Sequence, residues 1–377
     1  MAAAIVQKAS YGDQKKKSSF FTNLVLGIFS VLWFIPILGI LVTSFRQSDV
    51  IFNNGWWKVF PHREETMIST IDVPKDVDVS GVMNIKLDDG TVLTGDYQTL
   101  KAGVSVNGKT YKWEGAKRTR QIGIYGKKWV GFEGNLTLDN YKNVLTGKPI
   151  SYKLEDGSIA TKNGTDLGSS FLNSFSVTIP ATIIPILIAA FAAYGFAWMN
   201  FKGRKAFFTL VVALMVVPLQ IALVPVLTDF SKVGLNGEFL GVWLAHTGFG
   251  LPLAIYLFYN YISELPRDIL ESAFIDGASN FTIFTKLILP LSVPSIASFG
   301  IFQFLWVWND YLVSLVILGG GDKMVITQAL ANITGSRGQD WHLLTAGAFI
   351  SMVVPMTVFL LLQRYFVRGM MAGSVKG

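Results

Sequence analysis

No cysteine occurs among the 377 residues, and only three histidines do. Disulfide staples and thiolate metal sites are therefore excluded, and no arrangement of His62, His246 and His342 suggests a metal or nucleophile centre; each is read as structural. Charge is scarce too. Asp, Glu, Lys and Arg make up 15% of the chain and apolar residues 51%, whereas soluble domains carry roughly 25% charged residues. The shortage is uneven: residues 45 to 170 hold 17 of the 32 Lys/Arg and 15 of the 25 Asp/Glu. That distribution describes apolar membrane spans interrupted by one polar insert. The net charge of +7 is spread in a way that follows lipid topology, and no nucleic-acid partner is expected.

The first long apolar run, "FFTNLVLGIFSVLWFIPILGILVTSF" at 20–45, follows Lys15, Lys16 and Lys17. A secretory signal has an apolar core of about 7–15 residues and a small-residue cleavage site, so this longer, bulky run reads as an uncleaved spanning helix. Five further runs, 171–198, 206–228, 239–262, 289–318 and 342–366, complete a six-helix expectation. With the N-terminus inside, twelve basic residues fall on cytoplasmic segments and three (Lys232, Lys323, Arg337) on the short outer loops. Both termini are thus expected on the cytoplasmic side of the membrane. The resulting layout is a cytoplasmic tail (1–19), a first span (20–45), an extracytoplasmic segment with a β-rich insert (46–170), a span-rich core (171–366) and a cytoplasmic tail (367–377).

Within the insert, "GVSVNGKT" (103–110) matches the phosphate-loop pattern G-x-x-x-x-G-K-[ST]. A phosphate loop needs a helix after it, so that backbone N–H groups and the helix terminus converge on the phosphates. "YKWEGAKRTR" follows instead, with no helical apolar period. Asn107-Gly108 is a strong hairpin signal, because both central residues of a type I′ turn need positive φ. Val106 should then face Lys109, Val104 face Tyr111 and Ala102 face Trp113. "VMNIKLDDGTVLTGDY" and "YKLEDGSIATKNG" alternate similarly around Asp89-Gly90 and Asp156-Gly157, so the insert reads as a hairpin meander.

One polar segment, 263–295, lies between the fourth and fifth spans on the cytoplasmic side. Pro266 suits a helix start, Asp268 and Glu271 favour the positive end, and Ile269, Leu270, Ala273 and Phe274 recur at helical spacing. Gly277 reads as a helix stop open to close approach, and Ser279 as the cap of a second helix. A helix lying on lipid usually carries Lys/Arg on its polar face. This one carries Asp268, Glu271 and Asp276 against Arg267 alone, which favours a protein partner.

"ESAFIDGA" with Phe284, "LILP" and Pro294 resembles the EAA loop of permease subunits in binding-protein-dependent ABC importers. The match covers Glu271, Ala273, Asp276, Gly277, Ala278 and Pro290, and departs mildly at Ser272, where alanine is usual. "LTLDNYKNVL", "FLNSFSVT", "VVPLQIALVP", "WVWNDYL" and the tail "QRYFVRGMMAGSVKG" extend the likeness to the smaller maltose-type permeases, and the insert to α-glucoside permeases. The resemblance implies an all-α polytopic membrane protein of the bacterial inner membrane, with the six-helix type I importer permease fold and a small β-rich extracytoplasmic insert. It implies that residues 271–278 couple to two separate ATPase subunits, which hold the ATP and magnesium, and that this chain holds no cofactor. Membrane lipid, a sister permease and an extracytoplasmic sugar-binding protein are the other partners implied. In relatives the tail also reaches the ATPase dimer, which marks Gly373, Lys376 and Gly377.

Trp306, Trp308, Asn309, Asp310 and Tyr311 interrupt an apolar run, and an ionisable residue at membrane depth is a candidate for function. Two readings stand for this group: an aromatic and carboxylate lining of a sugar path, or a structural polar anchor beside an interfacial aromatic belt. "AAFAAYGFAW" (189–198) offers small residues for close helix packing. A membrane-anchored ATPase or sensor is the competing class. It would need a Walker B run in a cytoplasmic nucleotide fold, which the sequence lacks. An alternative cargo within the transporter class is glycerol phosphate or a sugar derivative.

Overall fold

A computed structural model describes residues 2–51, 54–87, 90, 92–132, 136–153, 159–162, 164–333 and 340–371. The chain divides into two compact units, Met1–Ser48 with Thr137–Gly377, and Asp49–Leu136.

The larger unit is helical. Among the described residues four helices are long and apolar enough to cross a membrane: Phe20–Ser44, Leu167–Trp198, Phe239–Ser263 and Trp341–Arg364. Two further candidates, third and fifth in chain order, are bent helix pairs that pass as spans only when their two halves are taken together. The run expected at 206–228 consists of Arg204–Leu214 and Leu219–Lys232, set at 102° to each other. Pro218 explains the break: its ring excludes the carbonyl of residue 214, where the first half stops, and disfavours helical backbone at Val217. The run expected at 289–318 is likewise not one helix. Asn280–Leu291 meets Val293–Trp308 at 70°, with Pro290 and Pro294 on either side of Ser292, and a separate helix, Leu312–Leu318, follows.

The second span begins at Leu167, four residues before the apolar run suggested, because the Asp166 carboxylate accepts the Ser169 N–H at 3.1 Å and caps the helix. Ala189, Ala190 and Ala193 are buried against Ala254, Phe258 and Ile262 of the helix Phe239–Ser263. These small side chains let two backbones approach, as their sequence pattern indicated.

The smaller unit carries a four-stranded antiparallel sheet in the order β1-β6-β5-β4 and a hairpin, β2-β3. Its strands are β1 His62–Asp72, β2 Met83–Lys86, β3 Val92–Gly95, β4 Val104–Val106, β5 Lys109–Glu114 and β6 Gln121–Val130. Leu93, Leu100, Tyr111, Trp113 and Ile122 fill its core. A last hairpin, β7 Ile150–Lys153 and β8 Ile159–Lys162, belongs to the larger unit; its Asp156-Gly157 turn lies outside the described residues, as does Asp89.

The phosphate-loop match is a turn of this sheet. Asn107 and Gly108 have φ of 52° and 76°, and Val106 and Val104 pair with Lys109 and Tyr111. The third expected pair does not form. Ala102 ends a short helix, Tyr97–Ala102, and Gly103 at φ 107° turns the chain into β4. A strand, β5, follows Gly108 where a nucleotide site would need a helix. Thr110 donates its hydroxyl to Glu65 across the sheet, and that bond holds the Glu65 carboxyl below its ordinary value. Lys109→Ala is therefore expected to leave uptake and ATP hydrolysis by the assembled transporter within about twofold of wild type. Loss of nucleotide binding by a folded Lys109→Ala complex would overturn this reading.

Candidate functional site

The segment expected to couple forms a helix at Arg267–Ile275, with Pro266 as its N-cap. Leu270 is 1% exposed and packs into the core built by the second and fourth spans, with Ala273 and Ala278 half-buried beside it. Glu271, Ser272, Asp276 and Gly277 are exposed. The apolar stripe read from the sequence thus divides: Leu270 and Ala273 anchor the helix, whereas Ile269 and Phe274 point outward. Ile275 is 85% and Phe281 66% exposed, so the free face carries apolar side chains as well as acids. Their spacing alone did not distinguish inward from outward, because the helix is short and apolar on more than one face.

Gly277 ends this helix in a Schellman arrangement. The Gly277 N–H bonds the Phe274 carbonyl at 3.1 Å and the Ala278 N–H bonds the Ala273 carbonyl at 3.0 Å. The residue has φ +77°, and a Cβ placed there meets no atom of this chain within 4 Å. Ser279 then caps the next turn, accepting the Thr282 N–H at 3.2 Å. Tyr194 of the second span donates to Asn280 at 3.1 Å, and Phe284 stacks on Phe191 with centroids 4.2 Å apart. A π-helical turn, Phe284–Ile288, leads into the bend at Ser292. The exposed helix is therefore anchored by Leu270 and, beyond Gly277, by the contacts of Asn280 and Phe284 with the second span.

The five residues of the aromatic stretch do not share one surface. Trp308 is 2% exposed and lies among Phe171, Phe175 and Phe304, with its indole N–H on the Ser351 carbonyl at 3.1 Å. Asp310 caps the helix Leu312–Leu318. Its carboxylate accepts the Val313 and Ser314 N–H groups at 3.3 and 2.9 Å and the Ser314 hydroxyl at 3.1 Å. His246, fully buried on the fourth span, brings Nε2 to 3.6 Å from the same carboxylate and its ring edge-on to Trp306. No local pattern signals that pairing, since 64 positions separate the two residues. Trp306, Asn309 and Tyr311 line an apolar cavity of about 630 Å³ with Phe302, Leu305 and Phe359, and Asp310 also reaches its wall. Gly373, Lys376 and Gly377 lie outside the described residues.

Residues 175–372 match the family model described as "Binding-protein-dependent transport system inner membrane component". The chain is 43% identical over 381 residues, covering all of both chains, to the osmoprotective compounds uptake permease protein GgtD of Synechocystis sp.. It is 44% identical to the alpha-glucoside transport system permease protein AglG of Rhizobium meliloti, covering 97% of this chain and 99% of that one. A solved bacterial ABC transporter involved in the import of alginate aligns with 62% of this chain and 80% of its own, at 20% identity and a TM-score of 0.48. The chain belongs to the binding-protein-dependent transport system inner membrane component family, as a permease subunit and not an enzyme.

Proposed function

We propose that this permease forms half of the translocation pathway of an ATP-driven importer for a small glycoside and couples through Arg267–Ala278 to a separate ATPase subunit. The observation that carries the coupling assignment is the exposed helix Arg267–Ile275. It is anchored by Leu270, ended by a left-handed glycine with open space around it, and acidic on its free face. A groove on the partner with basic residues could hold Glu271 in a charge-assisted hydrogen bond, and Ile275 and Phe281 would add apolar contact. ATP and magnesium would sit in the partner, and closure of two such partners would move the helix and, through Asn280 and Phe284, the broken fifth span. A second permease would complete the pathway, and an extracytoplasmic binding protein would deliver the cargo.

The glycoside class is supported by the full-length relative named for alpha-glucosides, while the one named for osmoprotective compounds supports uptake of a small solute without naming a glycoside. The apolar, aromatic lining of the cavity beside Trp306 suits a neutral solute better than a phosphate ester, since no cation stands among the described residues that line it. The basic residues near the span ends favour cytoplasmic termini, with the sheet unit outside.

One experiment addresses both coupling and sidedness, and the absence of native cysteine makes it direct. A cysteine replacing Ile275 is expected to crosslink to the co-purified ATPase subunit and to resist an impermeant thiol reagent added outside cells. A cysteine replacing Lys109 is expected to react with that reagent. Failure of residue 275 to crosslink in an assembled complex would remove the coupling assignment, and the reverse labelling pattern would overturn the orientation.

A further inference from the structure

The sheet unit has two unlike ends. At one end, where β1 begins and β6 finishes, His62 pairs with Val130 and Arg63 with Trp129. Around that end lie Trp57 at 61% exposure, Phe60 at 39%, Trp129 at 63% and Phe132 at 73%. Ring contacts join part of the group: Trp56 meets Trp57 and Phe60 at 6.2 and 6.3 Å, and Phe60 meets Phe132 at 6.3 Å. The opposite end of the ladder, at Asp72 and Gln121, is exposed and polar, with Arg118 in the turn just before it. A soluble domain has no reason to gather four exposed aromatic side chains at one end.

Both connections to the helical unit leave from the aromatic end, at residues 49 and 136. Thr137 is fixed beside the end of the first span, where its N–H bonds the Phe45 carbonyl at 2.7 Å. Asn140 reinforces this, donating to the Ser44 and Arg46 carbonyls at 2.8 Å each. Phe132 precedes Thr137 by five positions, so chain length alone keeps it within about 18 Å of that point. The first span, Phe20–Ser44, has 25 residues. At about 1.5 Å per residue it is roughly 37 Å long, more than the ~30 Å hydrocarbon layer, so its end reaches the headgroup zone.

We infer that Trp57, Phe60, Trp129 and Phe132 form an interfacial rim by which the sheet unit rests on the lipid headgroup layer of the bilayer that the first span crosses. Indole and phenyl rings concentrate at that depth because one part of the layer is apolar and the other wet. Charge adds a mild basic bias, because Lys58, Arg63, Lys127 and Lys128 outnumber Glu64 and Glu65 at this end. Lys58 is paired to Glu64, and Lys128 and Lys127 stand opposite Glu64 and Glu65, so phosphate headgroups meet no acidic barrier. The rim would fix the tilt of the sheet unit on the bilayer surface and leave its polar end available to solvent. This inference rests on the membrane placement of the first span and not on the cargo or on the coupling assignment.

The test uses the assembled transporter in nanodiscs containing phosphatidylcholine spin-labelled at the headgroup. An environment-sensitive dye is attached to single cysteines at 57, 129 or 132, and at 118 as the polar-end control. Quenching at the three rim positions is expected to exceed that at 118 by roughly twofold or more. To separate the rim from the dye's own affinity for lipid, a dye at Lys128→Cys is read with and without Trp57→Ser, Trp129→Ser and Phe132→Ser. Its quenching should fall about twofold when the rings are removed. Equal quenching at all four positions, or unchanged quenching of the residue-128 dye without the rings, would overturn the rim. Shielding of the rim positions that requires an added binding protein would assign the surface to a protein and overturn it equally.

Discussion

Gly277→Asp is expected to abolish uptake while the permease still inserts, pairs and survives purification. The expectation follows from what does and does not touch Gly277. Its backbone sits at φ +77°, and the two hydrogen bonds that end the helix Arg267–Ile275, Gly277 to Phe274 and Ala278 to Ala273, depend on that conformation. An L-residue there costs about 1–2 kcal/mol, least for Asn and Asp, which visit the left-handed region most readily. Within the chain a new side chain meets nothing. If backbone conformation were the whole requirement, activity should fall in the order Gly, then Asn and Asp, then Ala. If a partner closes over Gly277, size and charge decide, and the order becomes Gly, Ala, Asn, Asp. The second order is expected, with Asp at least about tenfold below Ala, because an unpaired carboxylate buried at a contact costs several kcal/mol and 1.4 kcal/mol is already tenfold. Uptake assays across the three variants at equal membrane abundance settle it. Normal transport by Gly277→Asp would remove the coupling assignment.

The local fold of segment 263–295 was legible because its information is local. A glycine that must be left-handed, a serine that must cap, and acids at the positive helix end all announce themselves within a dozen residues. The hairpin at Asn107-Gly108 was legible for the same reason, and its register follows from the turn. The breaks in the third and fifth spans were written in Pro218, Pro290 and Pro294. Hydropathy averages across such breaks, so the pair Arg204–Leu214 and Leu219–Lys232 reads as one run, and the run 289–318 passes over both the bend at Ser292 and the break before Leu312. Least legible was the aromatic stretch. Trp306, Trp308 and Asp310 are neighbours in sequence, yet their surroundings come from Phe171, His246 and Ser351, which no local pattern connects. Family membership supplies the class of machine, while the surroundings of these side chains decide which of them face the cavity.

Within that stretch, Trp308→Ala is expected to destabilise the permease strongly, and Trp306→Ala is not. Trp308 has ring centroids of Phe175, Phe171 and Phe304 at 4.9, 5.5 and 5.9 Å, the last nearly parallel at 12°. It joins the first turn of the second span, through Leu167, to Ile326, Ala329 and Leu343 in one cluster. Its indole N–H also satisfies the Ser351 carbonyl inside the final span. Between helices in lipid the driving force is dispersion and hydrogen bonding rather than release of water, so truncation forfeits ring contacts on every side and unpairs one carbonyl. Trp-to-Ala changes in packed cores cost about 3–5 kcal/mol, and a cavity walled by four helical segments has little freedom to collapse. The detergent-solubilised complex should therefore lose several degrees of apparent melting temperature and much of its yield. Trp306 is half-buried, faces the cavity and touches His246 edge-on at 5.6 Å, so its removal enlarges an existing space. That variant should purify normally and, where the cavity admits the solute, alter apparent affinity for it. A Trp308→Ala complex that melts with the wild type would contradict the packing described, and equal destabilisation by Trp306→Ala would deny the division of the aromatic stretch into a buried tryptophan and a cavity-facing one.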